Sequence, residues 1–214
     1  MNMNNHKLVL SSLFTALIAA GAIFSLPLPP PLPPITLAVF FAILAGLVAG
    51  PVWGSAAVGL YLLLGSIGLP VFANGSGGLG HFAGPTGGFL VGYLGAAFVA
   101  GLVADHRNWT FFRAAAGASA GVAVLYAIGL PWFRAVMDAR PDRTMSMTAA
   151  FMIMMPYLVG DLVKALAAAS LVRALKPLLV NYLPTSTSTP APTPTPAPTP
   201  TPTPTAVPAS GSDA

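Results

Sequence analysis

Residues Gly68–Gly92 read GLPVFANGSGGLGHFAGPTGGFLVG, nine glycines and two prolines between two long apolar runs. A glycine inside a helix costs about 1 kcal/mol relative to alanine and a proline about 3. The stretch is therefore predicted to be shaped, mainly non-helical backbone. Both flanks are apolar enough for a bilayer. Backbone without regular pairing is tolerated at membrane depth only where it is buried in protein or lines a cavity. The segment is thus a candidate binding surface at the mouth of a membrane bundle.

Composition agrees with the flanks. The chain has 214 residues, 55% hydrophobic and 7% charged, against about 25% charged in soluble domains. That identifies an all-α integral membrane protein. No cysteine is present, which excludes disulfides, thiolate metal sites and cysteine nucleophiles. No glutamate is present either, and the acids are Asp105, Asp138, Asp142, Asp161 and Asp213, so paired-carboxylate chemistry has little to draw on. The net charge of +4 comes from scattered basic residues and makes no case for nucleic-acid binding.

Upstream of the glycine-rich stretch, Leu8–Leu26 follows Lys7 but is too long for a signal-peptide core and lacks a small-residue cleavage site. It is predicted to be the first span. Ala16 and Ala20 share one of its faces, which suits close helix approach, either inside the protein or to a partner. Pro27–Pro34, PLPPPLPP, is predicted to be a stiff polyproline-type connector. Ile35–Gly50 and Val52–Leu69 are the second and third spans, separated by the turn signal Gly50-Pro51. The first of these is short enough to need tilt or shielding.

Downstream, Gly87–Ala104 is the fourth span, with Gly88 and Gly92 four apart. Asp105–Arg113 is a polar loop. Ala114–Leu130 is the fifth span, with Gly117 and Gly121 four apart, and Pro131–Thr144 is a mixed-charge loop. Met145–Leu175 holds the sixth span, predicted to break near Met155-Pro156 because proline disfavours helix in the residue before it. From Pro184 the chain is a low-complexity Pro/Thr/Ala tail, predicted to be disordered. The expected division is therefore a membrane domain over 1–183 and a tail over 184–214, whose deletion should spare the core function.

The loops set an orientation. With the N-terminus inside, Lys7, Arg107, Arg113, Arg173 and Lys176 are cytoplasmic, against Arg134, Arg140 and Arg143 outside. Both termini are then cytoplasmic. The proline loop, the glycine-rich segment and the start of the last helix gather on the outer side.

Asp161 and Lys164, three apart on the sixth span, are the ionisable groups well inside a span. They can pair. Charges there are costly and mark a substrate or ion pathway by default; a structural ion pair between helices is the plain alternative. A helix start near Pro156 sets them one to two turns below the outer surface. Asn74 offers two donors and an acceptor, although Asn before Gly is also a common turn residue. His81 has no second ligand beside it and is assigned no role, so no metal site is expected. There is no G-x-x-x-x-G-K-[ST] loop for ATP, the glycine clusters do not follow a soluble strand, and no Ser/His/Asp set is placed as a triad. The chain is expected to bind a ligand without covalent chemistry and without a cofactor.

Three segments carry a resemblance: LPVFANGSGG followed by GPTGGFLVGY within Leu69–Tyr93, MPYLVGDLVKAL at 155–166, and PITLAVFFAILAGLVAG at 34–50. Together they resemble the BioY family of biotin transporters, over roughly Ser11 to Leu175. The resemblance implies a six-helix substrate-binding S component of an energy-coupling factor (ECF) transporter, binding biotin near the extracellular face. A transmembrane coupling subunit and an ATPase pair complete such a transporter, though some members lack dedicated partners; a homo-oligomer is also possible. By resemblance Asn74, Asp161 and Lys164 contact the ligand, and Ala16 and Ala20 face the coupling subunit. Many relatives carry Gln where this chain has Ala38, and another near Gly59.

Biotin offers two ureido N–H donors, a ureido carbonyl, an apolar ring and a carboxylate. Asp161 can accept from a ureido N–H, Lys164 can donate to the carbonyl, and Asn74 can do either. The carboxylate is then expected at the glycine-rich mouth, the opposite pose placing it on Lys164. Phe72, Phe89, Tyr93 and Tyr157 are expected walls. Two other readings stay open at this point: an S component for another small vitamin, and a membrane interaction protein without transport.

Overall fold

The computed structural model describes residues 3–29, 32–104, 110–139 and 144–182. Pro30 and Pro31, most of the Asp105–Arg113 loop, Arg140 to Arg143 and the tail from Pro184 lie outside the described residues, as does the side chain of Lys176. The described chain is helical: α1 (Met3–Ile23), α2 (Ala38–Ser66), the four-residue α3 (Gly80–Ala83), α4 (Gly87–Ala104), α5 (Phe111–Asp138) and α6 (Met147–Tyr182), with a 3₁₀ turn at Ala73–Gly75. Five of these helices are long and apolar enough to cross a membrane.

The longest apolar run contains a reversal. Gly50 in α2 has φ 88° and ψ 175°, outside helical geometry. A Cβ built on Gly54 would lie 2.6 Å from the Cα of Gly46, although a straight helix would hold these residues about 12 Å apart. α2 is therefore a hairpin whose arms, 38–49 and 51–66, pack directly on each other. Gly50 supplies the positive φ and Pro51 starts the second arm, where a missing N–H has no cost. Six segments thus cross the membrane, each arm of the hairpin being shorter than the roughly 20 residues of a perpendicular span.

The closest helix approaches rest on small residues and hydroxyls, while larger apolar side chains such as Ile43, Leu47, Leu125 and Phe133 fill the core between them. Within a bilayer the hydrophobic effect does not drive helices together, so close packing and hydrogen bonds must. On α1, the buried Ser11 and Thr15 donate to the carbonyls of Trp53 and Ala57 in the second arm of α2, at 3.0 and 2.9 Å. Gly117 and Gly121 of α5 face the carbonyls of Ala100 and Ala96 of α4 so closely that an added Cβ would stand 2.7 and 2.8 Å from them. The four-residue spacing seen in the sequence is thus an internal helix contact.

Two expectations about proline are corrected. α5 does not end at Leu130 but continues through Pro131 to Asp138. Gly129, Phe133 and Met137 form a buried stripe at helical spacing, and that burial outweighs the single backbone bond a proline removes. α6 likewise runs unbroken through Pro156. Its buried stripe spans the proline, with Ala150 and Met154 before it and Asp161, Ala165 and Ala168 after it. Asp161 therefore sits about four turns into α6, deeper along the helix than a start near Pro156 implies.

Candidate ligand-binding site

The α1–α2 connection and the glycine-rich segment meet at one end of the bundle and are tied through Ser25 and Asn74. The proline connector is closed at its base by a two-bond antiparallel bridge between Leu26 and Ile35, at 2.9 and 3.1 Å. Across from it, the glycine-rich segment is folded around Phe72. The Phe72 N–H donates to the Ser76 carbonyl at 2.8 Å, and Asn74 takes the left-handed conformation at φ 58°. Asn tolerates this geometry better than most residues because its short polar side chain can bond locally. Phe72 is 2% exposed. Its ring meets Tyr61 and Phe82 edge-on, centroids 5.5 and 6.0 Å apart. Phe72 thus anchors the segment in the core, while the indole N–H of Trp132 holds its far side through the Gly84 carbonyl at 3.0 Å.

Beneath these loops lies a cavity of about 210 Å³ to which all five long helices and both loops contribute. Its size is below the roughly 300–1,000 Å³ of pockets for drug-sized ligands, so it suits a compact molecule. Asn74, Asp161, Lys164, Tyr93, Phe72, Phe89 and Tyr157, the seven residues singled out in the sequence, all line it.

Asp161 is the polar centre. It is 8% exposed, and both of its oxygens are engaged. Oδ1 accepts from the Lys164 ammonium at 2.9 Å and Oδ2 from the Tyr126 hydroxyl at 2.9 Å. The i, i+3 spacing on one helix brings the charges together, and α5 supplies the third member. Each carboxylate oxygen retains one acceptor site and the ammonium retains two donors. The group can therefore still accept from one ligand N–H and donate to one ligand oxygen. With one carboxylate and one ammonium it presents no net charge to the ligand.

The remaining walls are aromatic. Phe89 meets Tyr126 edge-on at 5.6 Å between centroids. The Tyr157 hydroxyl donates to the Pro33 carbonyl at 2.9 Å, joining α6 to the proline connector, and Tyr93 lines the cavity together with Thr36. Ala38 is also in the wall and nearly fully buried. Gly59 is not among the lining residues.

The sequence reading missed Tyr126, Tyr61 and Thr36 and gave His81 no role, yet all four line the cavity. Tyr126 carried a signal: it is a phenol in the middle of an apolar span and needs a buried partner for its hydroxyl. Ala16 and Ala20 stand elsewhere. Both are exposed on the face of α1 opposite Ser11, Thr15 and Ile18, so internal packing does not account for their spacing. Among the described residues no cluster of His, Asp or Glu has the makings of a metal site.

Comparison with known proteins agrees with this architecture. The model of the BioY family matches residues 1–181. The biotin transporter BioY of Thermotoga maritima is 40% identical over 175 residues, covering 82% of this chain and 98% of its own. That of Rhodobacter capsulatus is 43% identical over 139 residues, covering 62% and 71%. A crystal structure of the S-component for biotin from an ECF-type ABC transporter superposes with a TM-score of 0.65 at 25% identity, covering 83% of this chain and 95% of that one. A family match over nearly all the described residues, with a relative matched end to end, shows that the chain belongs to the BioY family.

Proposed function

We propose that this protein binds biotin in the cavity and takes it up across the cytoplasmic membrane as the substrate-specific component of an ECF-type transporter. Partner subunits supply ATP hydrolysis, and the chain itself catalyses no covalent step. Both termini are cytoplasmic, residues 1–183 form the binding domain, and 184–214 are a tail dispensable for binding. The observation that carries this reading is the buried Asp161–Lys164 pair, braced by Tyr126 and sharing one small cavity with Asn74.

The chemistry fits a ureido head. Asp161 accepts from a ureido N–H and Lys164 donates to the ureido carbonyl, a neutral pair meeting a neutral group. Phe72, Phe89, Tyr93 and Tyr157 cover the apolar ring, and the carboxylate lies toward the glycine-rich mouth. Ala38 leaves its own part of the wall apolar.

Equilibrium binding of biotin to the purified chain in detergent tests the function; no binding at micromolar biotin removes it, and competition by other vitamins redirects it. The pose is tested by biotin methyl ester, which binds as well as biotin if the head is deep and poorly if Lys164 holds the carboxylate. The coupling face is tested by Ala16→Leu with Ala20→Leu. Added bulk on that face should leave biotin binding within about twofold and disrupt a small-residue helix contact, so uptake in cells carrying the partner subunits should fall. Unchanged uptake would remove the interface.

A further inference from the structure

We infer that Ser25, which does not itself line the cavity, is a positioning residue that fixes Asn74 as a hydrogen-bond donor to an acceptor oxygen of the ligand. This rests on the biotin reading above and deepens it. Ser25 lies just beyond the end of α1, and Asn74 lies in the 3₁₀ turn of the glycine-rich segment. Two bonds join them. The backbone N–H of Asn74 donates to Ser25 Oγ at 2.9 Å, and Ser25 Oγ donates to Asn74 Oδ1 at 2.9 Å.

The two bonds determine which end of the amide is left over. Ser25 Oγ accepts from the Asn74 backbone N–H, and its single proton has two acceptors in reach, Asn74 Oδ1 at 2.9 Å and the Ile23 carbonyl at 3.5 Å, of which Oδ1 is the closer and takes it. With Oδ1 facing Ser25, the amide NH₂ on the other branch carries the donors still available to the cavity. The left-handed backbone of Asn74 holds the side chain in this closed arrangement. At the rim, the unused partner on biotin is then an acceptor oxygen, not a ureido N–H. The closed pair also connects the end of α1 directly to the ligand-facing amide.

The test is a set of biotin dissociation constants on the full chain in detergent, with thermal melting of each variant as a check on folding. Ser25→Ala should weaken binding about 2- to 10-fold, the range for one net hydrogen bond, and Ser25→Thr, which keeps the hydroxyl, should restore it. Asn74→Asp and Asn74→Gly both tolerate left-handed backbone. Asp still accepts from Ser25 but cannot donate, so it should bind biotin no better than Gly. In the Asn74→Gly background Ser25→Ala should have no further effect. Wild-type affinity in Asn74→Asp overturns the donor assignment, and unchanged affinity in Ser25→Ala, or equal losses with and without Asn74, overturns the positioning role. These failures occur in a chain that still binds biotin. Absence of binding by the unsubstituted chain overturns the biotin reading and this inference together.

Discussion

Two ion pairs within helices of this protein have the same chemistry on paper and different surroundings. Arg134 and Asp138 are four apart on α5, 3.8 Å from each other, with side chains 43% and 38% exposed. Asp161 and Lys164 are three apart on α6, 2.9 Å from each other, with side chains 12% and 18% exposed. The first sits in contact with water and also fastens the start of the next segment: Arg134 Nε donates to the Met145 carbonyl and Asp138 Oδ1 accepts from the Met145 N–H, at 3.0 and 2.9 Å. The second lines a cavity and has a tyrosine on its other oxygen. Exposed pairs contribute 0 to about 1 kcal/mol, whereas burying charges costs several kcal/mol per ion before any return. Under the proposed function a ligand offsets the cost of the buried arrangement, whereas loop geometry accounts for the exposed one.

The strongest way to break the contrast is to remove one buried charge. Asp161→Asn leaves the Lys164 ammonium in the cavity without its carboxylate and exchanges a charged acceptor for an amide. Hydrogen bonds to charged groups are worth about 1.5–3 kcal/mol, so biotin affinity should fall by roughly 10- to 150-fold in a titration of the purified protein; unchanged affinity would sink the ureido assignment. Removing the charges together separates recognition from architecture. A buried pair replaced by apolar side chains is often neutral or stabilising, so Asp161→Leu with Lys164→Met should melt close to the unsubstituted protein yet show no biotin binding. A double variant that binds biotin would make the pair a structural lock.

Tyr126→Phe is the next smaller step. It deletes one donor to Asp161 and leaves the edge-on contact with Phe89 in place. One net hydrogen bond of about 1 kcal/mol corresponds to roughly fivefold weaker biotin. A loss as large as that of Asp161→Asn would instead mean that the phenol touches the ligand.

How far this contrast was legible in the sequence depends on range. Asp161 and Lys164 stood out because spacing along one helix and hydropathy are local properties. The glycine-rich mouth stood out because its composition conflicts with any regular element. Tyr126 lies 35 positions from Asp161, and Ser25 lies 49 from Asn74; nothing local announces either partner. The prolines misled for the opposite reason. Their local penalty is real, but the buried stripes through Phe133 and Met154 run past Pro131 and Pro156, and tertiary packing decided the helix ends. Gly50-Pro51 was read correctly because there the local signal and the packing agree: the arms must meet at Gly46 and Gly54, and neither residue has a side chain to keep them apart.

The smallest expected effect belongs to the exposed pair and serves as the control for the rest. Arg134→Ala removes a partner from Asp138 and a donor from Met145, both at the protein surface. Biotin affinity should stay within about twofold, because neither residue lines the cavity. The thermal midpoint should drop by less than about 4 °C, the shift expected for 1 kcal/mol in a chain of this size. Part of that drop is Coulombic and screened, since the Debye length shrinks to about 3 Å at 1 M salt. The difference in midpoint between variant and unsubstituted protein should therefore narrow as salt is raised, leaving only the share due to the Met145 hydrogen bond. A tenfold loss of biotin affinity in Arg134→Ala would mean that the α5 extension past Pro131 transmits to the cavity through Trp132 and Gly84, and the line between the two ion pairs would have to be redrawn around that bond.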